Sequence, residues 1–276
     1  MDLRHWIAGI MAGVAVTALA DTIVTSSGEQ TGEIVRVDPT SIVFKIAAGE
    51  ISIPRSEVSD VRVDKPAAFD AAINAFGSGK YADAVAGLKP LVDRLCGLDI
   101  DWVEDATLRL GDALVANKSY ADAKAVFDRY KQLYPSSPKA AGLDAKYARI
   151  LVEQKKFSEA SALLAKLVGP LMAKKAISQE EELAVAEGLV LLGDCQRGAG
   201  KLDDALDSYL NVCALFDVDA SLAAEAKYKA GQIFEEKKNW RRAKSCYREL
   251  SEGVPQADIV ADSKKRLAAL TEAHPD

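Results

Sequence analysis

"LRLGDALVANKSYADAKAVFDRYKQLYP", residues Leu108 to Pro135, holds the pattern that decides the fold. Gly111 is followed twelve positions later by Ala123; Tyr120 stands three residues before that alanine and Phe127 four after it. The same offsets recur four more times. The alanines are Ala84, Ala123, Ala160, Ala205 and Ala243, separated by 39, 37, 45 and 38 residues. Three positions earlier stand Tyr81, Tyr120, Phe157, Leu202 and Trp240, and four positions later Leu88, Phe127, Leu164, Tyr209 and Tyr247. Twelve positions earlier the residue is always small: Ala72, Gly111, Ala148, Gly193 and Gly231. Small residues at fixed points of a helix pair let two backbones approach, and the bulky residues fill the space beside them. A period of this length is one helical hairpin plus its connection, so the pattern predicts an α-solenoid of about five hairpins.

The spacing resembles the tetratricopeptide repeat, with a small residue early in helix A, an alanine in helix B, an aromatic four residues on and a closing proline. The second copy, quoted above, and the fifth, "YKAGQIFEEKKNWRRAKSCYRELSEGVP" from Tyr228 to Pro255, fit it best. The resemblance covers roughly residues 66–272. Ala72 and Ala148 replace the usual glycine in copies one and three, and Pro90 inside helix B of copy one should kink that helix by deleting an amide donor. The run "AKSCYRELSEGVPQADIVADSKKRLAAL" looks like the end of envelope repeat proteins that serve outer-membrane protein assembly or the Tol-Pal system, and its second half should form a capping helix.

Upstream of the repeats the hydrophobic period changes from helical to alternating. "TIVTS", "TGEIVRV", "SIVFKI", "EISIP" and "VSDVRV" read as five short strands separated by turn residues, with a single helical turn in "IPRSEVSDV". About 45 residues suffice for a small bent barrel in which one strand is shared between two sheets. Ile23, Gly28, Gly32, Ile34, Asp38, Ile42 and Phe44 resemble the first half of Sm-like and SH3-like barrels. Residues 21–65 hold eight acids against five bases, so RNA binding is not carried over from that resemblance. The fold class expected is α+β: a five-stranded barrel over 21–65, then the solenoid over 66–276.

The first twenty residues stand apart. Arg4 lies in a polar start, Ile7 to Thr17 is apolar, and Ala18-Leu19-Ala20 precedes Asp21 in the small-x-small pattern of a processing site. This predicts a secretory signal peptide over 1–20 and export to the periplasm or cell envelope, with a retained N-terminal anchor as the rival. The apolar run is shorter than the roughly 20 residues a span needs. No other segment is apolar enough to cross a membrane. The formal charge is −6. A mildly acidic chain has no electrostatic footprint for nucleic acid.

Chemistry for catalysis is sparse. The two histidines are His5, in the leader, and His274, near the C-terminus, so a folded mature protein is expected to have none for nucleophile activation or zinc. "GSGK" at Gly77 to Lys80 lacks the earlier glycine and the following Ser/Thr of a phosphate loop, and reads as the turn within repeat one. Cys96, Cys195, Cys213 and Cys246 have no C-x-x-C spacing and read as buried thiols. No enzyme, cofactor or metal is expected. The basic cluster Lys237, Lys238, Arg241, Arg242 and Lys244 around Trp240 reads as a solvated turn, with an acidic partner or anionic surface as the alternative.

By register, the helix-A face lining the inner groove carries Leu108, Asp112 and Val115 in copy two, Arg149 and Val152 in copy three, Asp194 and Arg197 in copy four, and Gln232 and Glu235 in copy five. Mixed charge with apolar spots suits a groove for an extended or helical peptide. The reading is a non-enzymatic interaction scaffold for protein partners, with envelope proteins as the expected ones. Alternatives are a self-assembling structural protein whose barrel oligomerises and whose repeats act as a spacer, and an accessory subunit inactive alone. Reversing Arg149 and Arg197 together is expected to weaken binding without loss of folding.

Overall fold

The computed structural model describes residues 20–216, 219–253 and 257–275. The leader expected over 1–20 and the closing Pro255 lie, but for Ala20, outside the described residues. Five strands come first: β1 (Asp21–Thr25), β2 (Gly28–Val37), β3 (Ser41–Ile46), β4 (Gly49–Pro54) and β5 (Val58–Arg62), with the expected helical turn at Arg55–Glu57 between the last two. Eleven helices follow among the described residues. They are α1 (Ala67–Gly77), α2 (Tyr81–Leu95), α3 (Asp101–Ala116), α4 (Tyr120–Leu133), α5 (Leu143–Glu153), α6 (Phe157–Met172), α7 (Gln179–Gly198), α8 (Leu202–Leu215), α9 (Ala220–Glu236), α10 (Trp240–Ser251) and α11 (Ala257–Ala273). Each odd helix pairs with the next even one to make five hairpins, and α11 closes the array against α10 and α9.

The strands are antiparallel in the order β4-β3-β2-β1-β5. The first half of β2 pairs with β1 (Thr22 opposite Thr31), and the second half with β3 (Ile34 opposite Phe44), so β2 is the strand shared between two ladders. At Gly32, where the strand changes partner, a Cβ would lie 2.3 Å from the Lys45 carbonyl oxygen. Strand pairing ends at β4 on one side and β5 on the other. The alternating Ile23, Ile34, Val37, Ile42, Phe44 and Ile53 are buried on one face together with Leu95 of α2, Leu98, and Val103 of α3. Residue 65 therefore marks a change of secondary structure without a break in the core.

The helical repeat follows its sequence pattern closely. Ala84, Ala123, Ala160, Ala205 and Ala243 are all fully buried, as are the five large residues four positions later. A Cβ on Gly111 would sit 2.1 Å from the Phe127 ring, on Gly193 2.4 Å from Tyr209, and on Gly231 2.9 Å from Tyr247. The small residue is thus the seat for the ring of its own hairpin. The constant offset of twelve has a local cause. Every hairpin turns through one residue of positive φ (Gly79, Lys118, Lys155, Gly200, Lys238), two positions before the bulky residue that opens the next helix. The following amide bonds back five residues in each case, as from Ser119 N to Leu114 O at 2.8 Å and from Asn239 N to Phe234 O at 2.8 Å. This is the Schellman closure of a helix. Gly77 to Lys80 is therefore a hairpin turn, as its sequence implied. Three of the five turns use lysine where glycine would be relaxed, at a cost of about 1 kcal/mol each.

Two features depart from the repeat. Backbone stays helical through Pro90: both Pro90 and Ala86, whose carbonyl loses its donor, lie on the exposed face of α2, where water can replace the missing bond. The 45-residue interval arises in the fourth unit, where α7 is 20 residues long. Its start is fixed by a capping box in which Glu181 N donates to Ser178 Oγ and Ser178 N to Glu181 Oε2. The extra turns of α7 pack on the 3-10 turn Pro138–Gly142, which takes the place of the first turn of α5. All four cysteines are free thiols, Cys96 and Cys195 buried and the other two partly so.

Ala123→Trp and Ala243→Trp should each overpack a helix crossing and lower stability by about 1–3 kcal/mol, whereas the same change at exposed Ala273 should be nearly silent. Chemical denaturation of the three variants checks this, and equal midpoints would mean that the register is wrong.

Candidate functional site

The odd helices line one side of the array, and their side chains build two adjoining clefts there. The larger, about 610 Å³, is floored by Phe69 and Ile73 of α1, Leu108 of α3, and Leu183 and Ala184 of α7. Asp105, Arg109, Asp112, Lys139, Lys146, Glu180, Glu187 and Asp219 bring charge to its walls. Leu183 and Glu180 reach it because the capping box starts α7 early. A second hollow of about 300 Å³ shares Arg109, Asp112, Lys146 and Glu187, and adds Phe76, Tyr81, Val115 and Arg149.

Four of the nine residues expected in the groove line these clefts: Leu108, Asp112, Val115 and Arg149. Val115 is buried among core residues, and Val152 packs against the core of repeats three and four. Asp194, Arg197, Gln232 and Glu235 line neither cleft. They belong to contacts between neighbouring units. Asp194 binds Lys229 at 2.7 Å and accepts from the Tyr209 hydroxyl at 2.8 Å. Arg197 donates to Gln232 at 2.7 Å and also to Glu236. Glu235 takes Arg266 of α11 at 3.0 Å and the Tyr247 hydroxyl.

Register alone did not show Lys146, Glu187, Glu225 and Lys229, the partners that complete this ladder. Lys146 lies 3.1 Å from Asp112 and 3.4 Å from Glu187, and Arg149 donates to Glu187 at 2.9 Å. Lys229 joins Asp194 to Glu225, its own neighbour one turn earlier, at 2.8 Å. A sequence signal does exist. Asp112 and Asp194 directly follow the small residue of their unit, while Lys146 and Lys229 stand two before the small residue of the next. The ladder is largely withdrawn from water, with the Lys146 side chain 18% exposed and Arg149 30%. Burial raises the Glu187 carboxyl, but Lys146 and Arg149 more than offset that and hold it down at about 2. Burial opposes the charge on Lys146 and Arg149 too, yet the carboxylates around them raise both above their ordinary values. Reversing Arg149 would put two carboxylates at bonding distance, so the expectation that this change spares folding is corrected: Arg149 is structural.

The basic turn is similarly occupied. Lys237 pairs with Asp203, Arg242 lies over the Phe234 ring at 5.5 Å, and buried Lys244 donates to the His274 carbonyl at 3.0 Å. His274 itself stacks on Trp240, ring centroids 4.0 Å apart, so the folded chain does contain a packed histidine. Groups of three or more metal-ligating side chains do not occur among the described residues, and none of the helices described is long and apolar enough to cross a membrane.

Tetratricopeptide-repeat family models match residues 69–138 and 225–257. Those two segments are tetratricopeptide repeats. Among solved structures, residues 41 to the end of MamA from Desulfovibrio magneticus RS-1 share 16% identity over 76% of this chain and 96% of that one, with a TM-score of 0.39. A putative kinesin light chain of Podosopora anserina with nearly identical repeats shares 12% over 75% and 93%, TM-score 0.43. BtubC (BKLC) from P. vanneervenii shares 15% over 74% and 80%, TM-score 0.44. No curated protein matches.

Glu187→Gln should lower stability at neutral pH by about 3 kcal/mol, because it leaves Lys146 and Arg149 withdrawn from water with one anion fewer. The sign follows from a carboxylate held below its ordinary 4.5: its contribution is complete above that pH and is lost as pH falls towards about 2. The gap in melting temperature between parent and variant should therefore close across that window; a constant gap would deny the ion pairs their role.

Proposed function

We propose that the protein is a non-enzymatic interaction scaffold that holds a protein partner against the odd-helix face of its tetratricopeptide repeats. The observation that carries this reading is the pair of adjoining clefts built by α1, α3, α5 and α7, in which apolar Leu183 stays exposed while the charges deeper in the wall pair with one another. Such a surface offers apolar contact to a chain without requiring it to break an ion pair. Repeat units of this kind present one extended face because each contacts only its neighbours. The leader-like residues 1–20 support export to the periplasm or cell envelope, where the partners would be envelope proteins. The shared strand β2 supports reading residues 21–65 as an SH3-like barrel whose apolar face is completed by Leu95, Leu98 and Val103. A second reading, self-assembly through that barrel, is favoured by one observation: β4 and β5 each have a single strand neighbour, which leaves two edges able to pair with another chain.

A photo-crosslinking side chain at Arg109, in the cleft, should yield partner adducts in intact cells, identified by mass spectrometry. The same group at Arg241, in the basic turn, should not. Adducts at Arg241 alone would move the site to that turn, and adducts made only of copies of this chain would favour self-assembly. Sequencing of the purified protein should begin at Asp21; an intact Met1 on a cytoplasmic protein would overturn the compartment.

A further inference from the structure

The charges around the larger cleft are not equivalent. Each of its three cations already has a carboxylate. Lys139 binds Asp101 and Asp105, both at 2.6 Å, Lys146 binds Asp112 and Glu187, and Arg109 lies 4.0 Å from Asp112 while stacking on Phe76 at 4.9 Å. Two of the acids at the mouth are differently placed. Glu180 bonds the Ser178 hydroxyl, and exposed Asp219 caps α9 by accepting from Ser221 N and Leu222 N. Neither is in an ion pair among the described residues. Among the floor residues Leu183, at the start of α7, is 40% exposed, one of the few large apolar side chains left in water. An anionic group entering this cleft would find every cation engaged and two carboxylates that stand outside any ion pair among the described residues. A cationic one would find both carboxylates available.

From this we infer that the cleft takes a protein segment in which a bulky apolar side chain is flanked by lysine or arginine. The apolar side chain seats on Leu183, Leu108, Ile73 and Phe69, and the flanking cations meet Glu180 and Asp219. The space of about 610 Å³ lies in the range of pockets that enclose a compact ligand, and it accommodates one or two side chains of a peptide. The anchor supplies most of the affinity. The rim carboxylates supply selection and a salt-sensitive association rate. This inference rests on the odd-helix face being the docking face, and it adds the chemistry of what docks.

The test uses the full chain and two fluorescein-labelled peptides with blocked ends, each with a central Phe-Leu pair, one flanked by lysines and the other by glutamates. In fluorescence anisotropy the lysine-flanked peptide should bind and the glutamate-flanked one should not. Leu183→Asp should weaken binding about tenfold. Glu180→Gln combined with Asp219→Asn should weaken it about threefold and reduce its dependence on salt. Asparagine keeps the cap on α9, and Leu183 is half in water, so melting temperatures should stay at the parent value. A melt that drops for Leu183→Asp shifts the decision to Leu183→Ser, which must show the same loss. Equal binding of the two peptides, tighter binding of the glutamate-flanked one, indifference to the variants, or no binding by either overturns the inference. Adducts at Arg109 alongside any of those results would leave the docking face standing and remove only the chemistry assigned to it.

Discussion

The structure depends on one steric fit: an aromatic or leucine side chain of helix B lies where the helix A of its own hairpin has almost no side chain. Phe127 occupies the space a Cβ on Gly111 would take, and Tyr209 and Tyr247 do the same over Gly193 and Gly231. The fit can recur only if the two positions keep a fixed separation along the chain. The Schellman closure with its single left-handed residue provides that separation in every hairpin. A left-handed lysine at Lys118, Lys155 and Lys238 is tolerated because packing on both sides leaves the turn no other course.

The sheet joins the array through the same kind of shared burial. Isolated, five short strands would leave an apolar face in water; here Leu95, Leu98 and Val103 complete it. Polar contacts fix the junction. Asp21, 3% exposed, accepts from Ile34 N at 2.7 Å and from Arg94 at 3.0 Å, while burial raises its carboxyl above the ordinary range. Arg55, in the turn before β5, donates to the Gly97 carbonyl at 2.6 Å, and Gly97 N donates to the Tyr134 hydroxyl at 2.8 Å. One short loop between α2 and α3 thus ties the sheet to the second repeat as well as the first.

The charges on the odd-helix face have two separate tasks. Deep ones, Asp112, Lys146, Arg149, Glu187, Asp194 and Lys229, link consecutive units, and each stands in a low-dielectric setting where leaving it alone would be costly. Shallower groups at the cleft mouth remain available to an incoming chain. The affinity of the face then rests on its apolar floor, whose extent is set by the early start of α7.

Local rules determined most of what the sequence reveals here. The small-residue and alanine offsets specify five hairpins because both ends of each offset lie within one continuous backbone. Alternation and turn residues likewise located the five strands, while which of them is shared between two ladders was decided by the tertiary structure. Groove residues were legible only as a face: register put Asp112, Arg149, Asp194 and Arg197 on it, and could not say whether they meet solvent or one another. Their partners Lys146, Glu187 and Lys229 sit roughly 35 to 40 residues away in sequence, on the neighbouring unit, so the superhelical stacking alone decided which charges are spent internally. The same stacking brought Leu183 and Asp219 to a cleft floored by α1 and α3, a juxtaposition set by the rotation between units and written in no single repeat.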